Sequence, residues 1–169
     1  IECFLPFDYA GHKFVGFIDR LDSFSDGEIR IVDYKTGKVS DKEMMVMGES
    51  GVDEVYAKSV FDSIFDPDAK DNPKIALQFF IYNLMLCNSE KGKAMAEGKK
   101  ILNSVYSLSH LYDDAAREYC LPKEVFDYAG DKVRATLDEI FDLQGHPEFK
   151  RTANTATCAY CDFRMICGR

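Results

Sequence analysis

The chain has 169 residues, of which 46% are hydrophobic, 13% aromatic and 30% charged, with a formal net charge of −8. That is the length of one domain with enough apolar material for a core, and the composition excludes a disordered or collagen-like chain. The net acidity by itself argues against a nucleic-acid partner.

In chain order, three strands come first: 1–7, 13–22 and 28–35, separated by the turns DYAGH and SDG. Turn residues between β-branched and aromatic runs predict a meander of antiparallel hairpins. Pro6 within the first strand suits an edge position. The chain opens within a strand and carries no basic-then-apolar leader, so it is expected to be a fragment lacking an upstream part. Residues 39–73 show no β pattern and read as a variable acidic insert, with a helix predicted at 53–65. Asn72-Pro73 reads as an N-cap followed by proline at the first helical position. The helix expected over 73–88 is apolar almost all round, which predicts burial. Its run from Phe79 to Cys87 is far short of the roughly 20 residues that cross a bilayer, so no membrane partner is expected. A basic loop over 91–100 leads to a strand at 100–112, with Ile101, Val105 and Leu108 as its expected core contacts. An amphipathic helix follows at 122–143, with Phe126, Ala129, Val133, Leu137, Ile140 and Phe141 on one stripe. Residues 146–169 form a cysteine-bearing tail. The expected fold is a single α/β (α+β) domain over 1–169 with a mixed sheet.

The acidity is localised. Residues 41–73 hold nine acids against three bases, whereas 91–100 and 146–169 are net basic. Three of the six cysteines, Cys158, Cys161 and Cys167, lie within ten residues. Their C-x2-C-x5-C spacing is that of a metal site rather than a disulfide framework, although a zinc site or three free thiols satisfy it equally. Cys3, Cys87 and Cys120 read as small buried hydrophobes. A reducing, cytoplasmic compartment follows.

The second hairpin carries the chemical information. If it turns about Asp26, Asp19 lies opposite Asp33, Leu21 opposite Ile31 and Phe17 opposite Lys35, all facing one side of the sheet. Two carboxylates set across a strand pair repel, so the fold needs a cation between them. Lys35 is one such cation; a divalent Mg2+ or Mn2+ held by Asp19 and Asp33 is another. A metal there would polarise a phosphate oxygen and activate water, with Lys35 stabilising the developing charge: the chemistry of phosphodiester hydrolysis. The competing reading is an ordinary exposed strand with surface salt bridges. Gln78 and Tyr82, four apart on the buried helix, share a face and serve either a polar site or a core hydrogen bond.

Taken in order, GFIDRLD (16–22), IVDYKTGK (31–38), QFFIY (78–82) and the terminal cysteines resemble the PD-(D/E)XK nuclease superfamily. Within it, they resemble the RecB-like nuclease domains, including the AddB subunit of bacterial helicase–nucleases and the CRISPR adaptation nucleases. The resemblance implies a restriction-endonuclease-like core, a central mixed sheet with an antiparallel meander flanked by helices. It implies a metal-dependent DNA exonuclease acting on a single strand or duplex end in recombinational repair, beside a helicase subunit or domain. Asp19 and Asp33 match the metal-binding acids, Lys35 the lysine of the D-x-K motif, and Gln78 and Tyr82 the helical QxxxY motif. Cys158, Cys161 and Cys167 match three of four ligands of a [4Fe-4S] cluster, which in this fragment would be incomplete. The family's first cluster cysteine and a metal-site histidine lie upstream of the first strand. His12, His110 and His146 do not match that histidine and read as surface or structural residues. Two alternatives stay open: a nuclease-inactive DNA-binding or assembly scaffold, and a CRISPR adaptation nuclease acting alone.

Overall fold

Two residues with positive φ, Ala10 (49°) and Gly11 (78°), close the first hairpin. Left-handed backbone at both central positions is the tight turn whose twist matches that of paired strands. The computed structural model describes residues 2–24, 27–45, 51–66, 68–69, 73–110, 117–142, 145 and 152–168. The hairpin comprises β1 (Cys3–Phe4), β2 (Phe7–Tyr9), β3 (His12–Phe14) and β4 (Phe17–Ile18). One register runs through it, from Cys3 opposite Ile18 to Tyr9 opposite His12. The turn is thus tighter than the five-residue DYAGH loop expected, and pairing extends beyond residue 7. Pro6 falls between β1 and β2, where its missing N–H costs no ladder bond.

The strand expected over 13–22 is three pieces: β3, β4 and β5 (Arg20–Ser23). The break matters because the segment changes partner. β4 pairs with β1, whereas β5 pairs with β6 (Glu28–Lys35). The β5–β6 register sets Leu21 opposite Ile31, as a turn about Asp26 requires. Residues 25–26 themselves lie outside the described residues.

β6 also pairs in parallel with β7 (Lys100–Ser107), and β7 pairs antiparallel with β8 (Arg117–Tyr119), a strand the sequence did not announce. The four-stranded order β5-β6-β7-β8 is the mixed sheet expected, flanked by helices. The parallel step is bridged by α1 (Glu54–Phe65), α2 (Lys74–Asn88) and α3 (Glu90–Ala96); α4 (Lys123–Phe141) follows the sheet.

α3 replaces part of the basic loop expected over 91–100. Ser89 caps it, its hydroxyl accepting from the Gly92 amide at 3.0 Å. α2 starts after Pro73, which provides no side-chain cap; Asn72, the cap expected, lies outside the described residues.

α2 is buried along most of its length, with Phe79, Phe80 and Leu86 wholly inside. The hairpin, β6, β7, α1 and α4 pack around it in one hydrophobic cluster. Segment 39–73 enters that cluster through Val39, Met44, Met45, Ala57, Val60 and Phe61. Gly16 lets the hairpin approach α2: a Cβ there would sit 2.8 Å from the Met85 methyl. Two contacts depart from expectation. Leu108 lies in a short 3-10 turn after β7 and is exposed, so the β7 contacts to the cluster are Val105 and, partly buried, Ile101. On α4, Val125 and Ala129 are the buried residues, while Ile140 and Phe141 are half-exposed. Among the described residues no helix is long and apolar enough to cross a membrane.

Candidate active site

β6 ends in Asp33-Tyr34-Lys35. Alternation sends Ile29, Ile31, Asp33 and Lys35 to the face covered by α2, and Tyr34 to the other. Asp33 is therefore carried into the core at the C-terminal end of a parallel strand, 1% exposed. In open α/β sheets that end is where ligands bind.

A buried carboxylate needs partners, and α2 supplies them. Gln78 and Tyr82, one turn apart, face Asp33. The Gln78 Nε2 donates to Asp33 Oδ1 at 2.9 Å and to the Tyr82 hydroxyl oxygen at 2.7 Å. Tyr82 Oη lies 3.4 Å from the same Asp33 oxygen and donates to it. The Lys35 ammonium donates to Gln78 Oε1 at 2.6 Å and stands 2.7 Å from Asp33 Oδ2. The Gln78 amide thus reads both signs: its oxygen meets the cation and its nitrogen the anion. Reversing the amide would set like partners against each other at both ends.

Two titrations are displaced. Burial pushes the Asp33 carboxyl above its ordinary range, with the nearby Asp19 charge adding to the effect and the Lys35 ammonium opposing it. Burial and the Asp33 charge push the Tyr82 phenol up to about 12, so Tyr82 is a hydrogen-bond donor at neutral pH.

Asp19 does not lie on the ladder. The β5–β6 pairing stops at Arg20–Val32, and Asp19 occupies the bend between β4 and β5. Nor does Phe17 face Lys35; it pairs with Phe4 in β1. The cause is the change of partner. Ile18 is committed to Cys3, so the Tyr34 amide lacks its backbone acceptor, and Asp19 Oδ2 takes that bond at 3.2 Å. Asp19 is still close enough to Asp33 for its charge to be felt there.

The donor chemistry fits a hard divalent cation. Asp19 and Asp33 offer carboxylate oxygens, and the buried Asp33 Oδ2 accepts no aligned hydrogen bond; its contact with Lys35 is an ion pair. Mg2+ typically takes one or two carboxylates and completes its shell with water and phosphate. Among the described residues no group of three or more His, Cys, Asp or Glu is arranged to hold a metal. That covers Cys158, Cys161 and Cys167, which are free, partly exposed and strung along a 3-10 helix and the turns that follow it. Cys3 is buried, as expected, but Cys87 is exposed and Cys120 partly so. His12 stacks on Phe141 with centroids 4.0 Å apart, a structural role; His146 lies outside the described residues.

A residue class missed in the sequence sits on the other face of the same strands. Arg20 Nη1 donates to the Tyr34 hydroxyl at 3.1 Å, and Tyr34 lies beside Tyr106 of β7. The alternation that turned Asp33 and Lys35 toward α2 was the available signal, since it sends Tyr34 to the other face.

No curated protein matches the chain. The family model of the PD-(D/E)XK nuclease superfamily matches residues 1–168, a span that contains both the sheet and the α2 residues converging on Asp33. The chain belongs to the PD-(D/E)XK nuclease superfamily.

Proposed function

We propose that this chain is the nuclease domain of a RecB/AddB-type helicase–nuclease of the cytoplasm, acting as a magnesium-dependent DNA exonuclease in recombinational repair. The observation that carries the catalytic part is the Asp33–Lys35–Gln78 network at the end of β6, a buried carboxylate with one oxygen left without an aligned donor. Asp19 and Asp33 would hold Mg2+ (or Mn2+), which when bound supplies a Lewis acid for a phosphate oxygen.

The protein's own groups have separable tasks. The Lys35 ammonium, still partly exposed, places positive charge where a phosphate's negative charge grows during hydrolysis. Gln78 holds Lys35 and Asp33 at fixed spacing, so neither must reorganise when substrate arrives. Tyr82 keeps a proton aimed at Asp33 and limits the carboxylate to one orientation. The helicase partner is supported by the motif combination and would deliver DNA to a domain whose net charge does not attract it. Cys158, Cys161 and Cys167 would give three thiolates to a [4Fe-4S] cluster.

The test is degradation of linear DNA by the protein with Mg2+, with Asp33→Ala compared. Loss of cutting in the variant, with its circular dichroism unchanged, supports the assignment. Unchanged cutting rejects the site. Iron and sulfide analysis of the protein, with and without Cys161→Ser, tests the cluster separately.

A further inference from the structure

Tyr34 and Tyr106 occupy matched positions on the central parallel pair β6–β7, on the face opposite Asp33. Their rings stand with centroids 6.0 Å apart, tilted by 42°. Both are large aromatics on the sheet's two inner strands, yet Tyr34 is 48% and Tyr106 40% exposed. Arg20 reaches Tyr34 from β5 and is itself held by Asp22, Nε to Oδ1 at 2.8 Å. The guanidinium thus fixes the Tyr34 ring while remaining at the surface.

The position gives this pair a substrate. Tyr34 is bonded on either side to Asp33 and Lys35, and all three lie at the end of β6. Tyr106 is the register partner of Tyr34 on β7, so both exposed rings lie at the strand ends that carry the site, on the opposite face. Bases in a single strand have free faces, and exposed aromatic rings bind them by stacking, without regard to sequence. Arg20 adds a cation beside the first ring. We propose that Tyr34 and Tyr106 form a base-stacking platform for the unpaired nucleotides next to the phosphate being cut. The proposal rests on the nuclease reading of the Asp33 site. A cross-strand aromatic pair that merely stabilises the sheet is the competing role.

The experiment measures binding, with calcium in place of magnesium, of fluorescent oligo-dT and of an abasic strand with the same backbone. Stacking on one or two bases predicts that oligo-dT binds about tenfold or more tighter than the abasic strand. Tyr34→Ala with Tyr106→Ala should bring oligo-dT down to the abasic level and leave abasic binding unchanged. Tyr34→Phe with Tyr106→Phe should keep most of the difference, because the rings remain. Equal binding of the two strands by the wild-type protein overturns the proposal. So does an alanine variant that loses both strands equally, or a phenylalanine variant that loses as much as alanine. Cleavage with magnesium is scored separately: if no DNA is cut, the nuclease reading fails, while the binding comparison still decides the platform.

Discussion

Gln78→Glu changes one atom of the site and inverts its electrostatics. The side chain keeps its shape, so Lys35 retains its acceptor, now a carboxylate oxygen in place of Oε1. The Nε2 that donates to Asp33 Oδ1 at 2.9 Å becomes an oxygen facing an oxygen. Two carboxylates whose charge centres are about 4 Å apart repel by about 4 kcal/mol at an effective dielectric near 20, on the order of three pH units of titration. Lys35 would be shared between the two acids, and the partly open site admits water, so about one to two pH units of displacement is the expected result. Asp33, already pushed upward by burial, would then hold its proton to higher pH than in the wild type. The assay is the pH dependence of DNA degradation at fixed Mg2+. Its acid limb should move upward in Gln78→Glu, with activity recovering toward alkaline pH. Gln78→Leu should instead lower activity across the range without that displacement. If the acid limbs of wild type and Gln78→Glu superimpose while both proteins remain folded, the network does not control Asp33 and the reasoning fails.

Asp33→Asn should abolish cutting yet raise the metal-free melting temperature at neutral pH, because the environment disfavours the charged carboxyl. With a folded pKa above the unfolded one, the folded state binds the proton more tightly. The cost of the charge is therefore present above the folded pKa and fades as pH falls toward the unfolded value. The melting-temperature gap between variant and wild type should shrink on acidification; a gap constant with pH contradicts this. Magnesium at ten times its dissociation constant should stabilise the wild type by about 1.4 kcal/mol, about 3–6 °C for a chain of this size. Differential scanning fluorimetry should show that gain and its absence in Asp33→Asn. Asn83 donates to Asn103 at 2.7 Å inside the core. Asn103→Val would leave one of the two Asn83 Nδ2 hydrogens unpaired, the other staying on the Phe79 carbonyl at 2.8 Å, and cost about 1–3 kcal/mol by urea denaturation, whereas adding Asn83→Leu should recover part of it. Gly92→Ala would bring a methyl group within 2.6 Å of the Leu86 carbonyl oxygen, and overpacking of backbone there should cost about 1–3 kcal/mol in the same assay.

Local patterns that carry their own physical signal were legible without coordinates. The alternation in IVDYK set Asp33 and Lys35 on one face, and the register about Asp26 correctly paired Leu21 with Ile31. Helical spacing put Gln78 and Tyr82 together, and an apolar circumference announced α2 as buried. Three features were not legible because they depend on partners distant in sequence. The strand over 13–22 breaks at Asp19 because β4 is claimed by β1 and β5 by β6, a competition between two hairpins that neither sequence segment records. The amide of Gln78 could have served a loop or the core; only the docking of α2 onto β6 turns it toward Asp33 and Lys35. Leu108, a plausible core residue by spacing, is exposed because β7 ends at Ser107. Periodicity and turn chemistry act over a few residues, so the sequence by itself determined the main elements and their faces, though not β8 or α3, and its motifs in order pointed to the family. Which strand claims which neighbour, and which oxygen of Asp33 meets which donor, are settled by contacts across dozens of residues, and those exist only once the chain is packed.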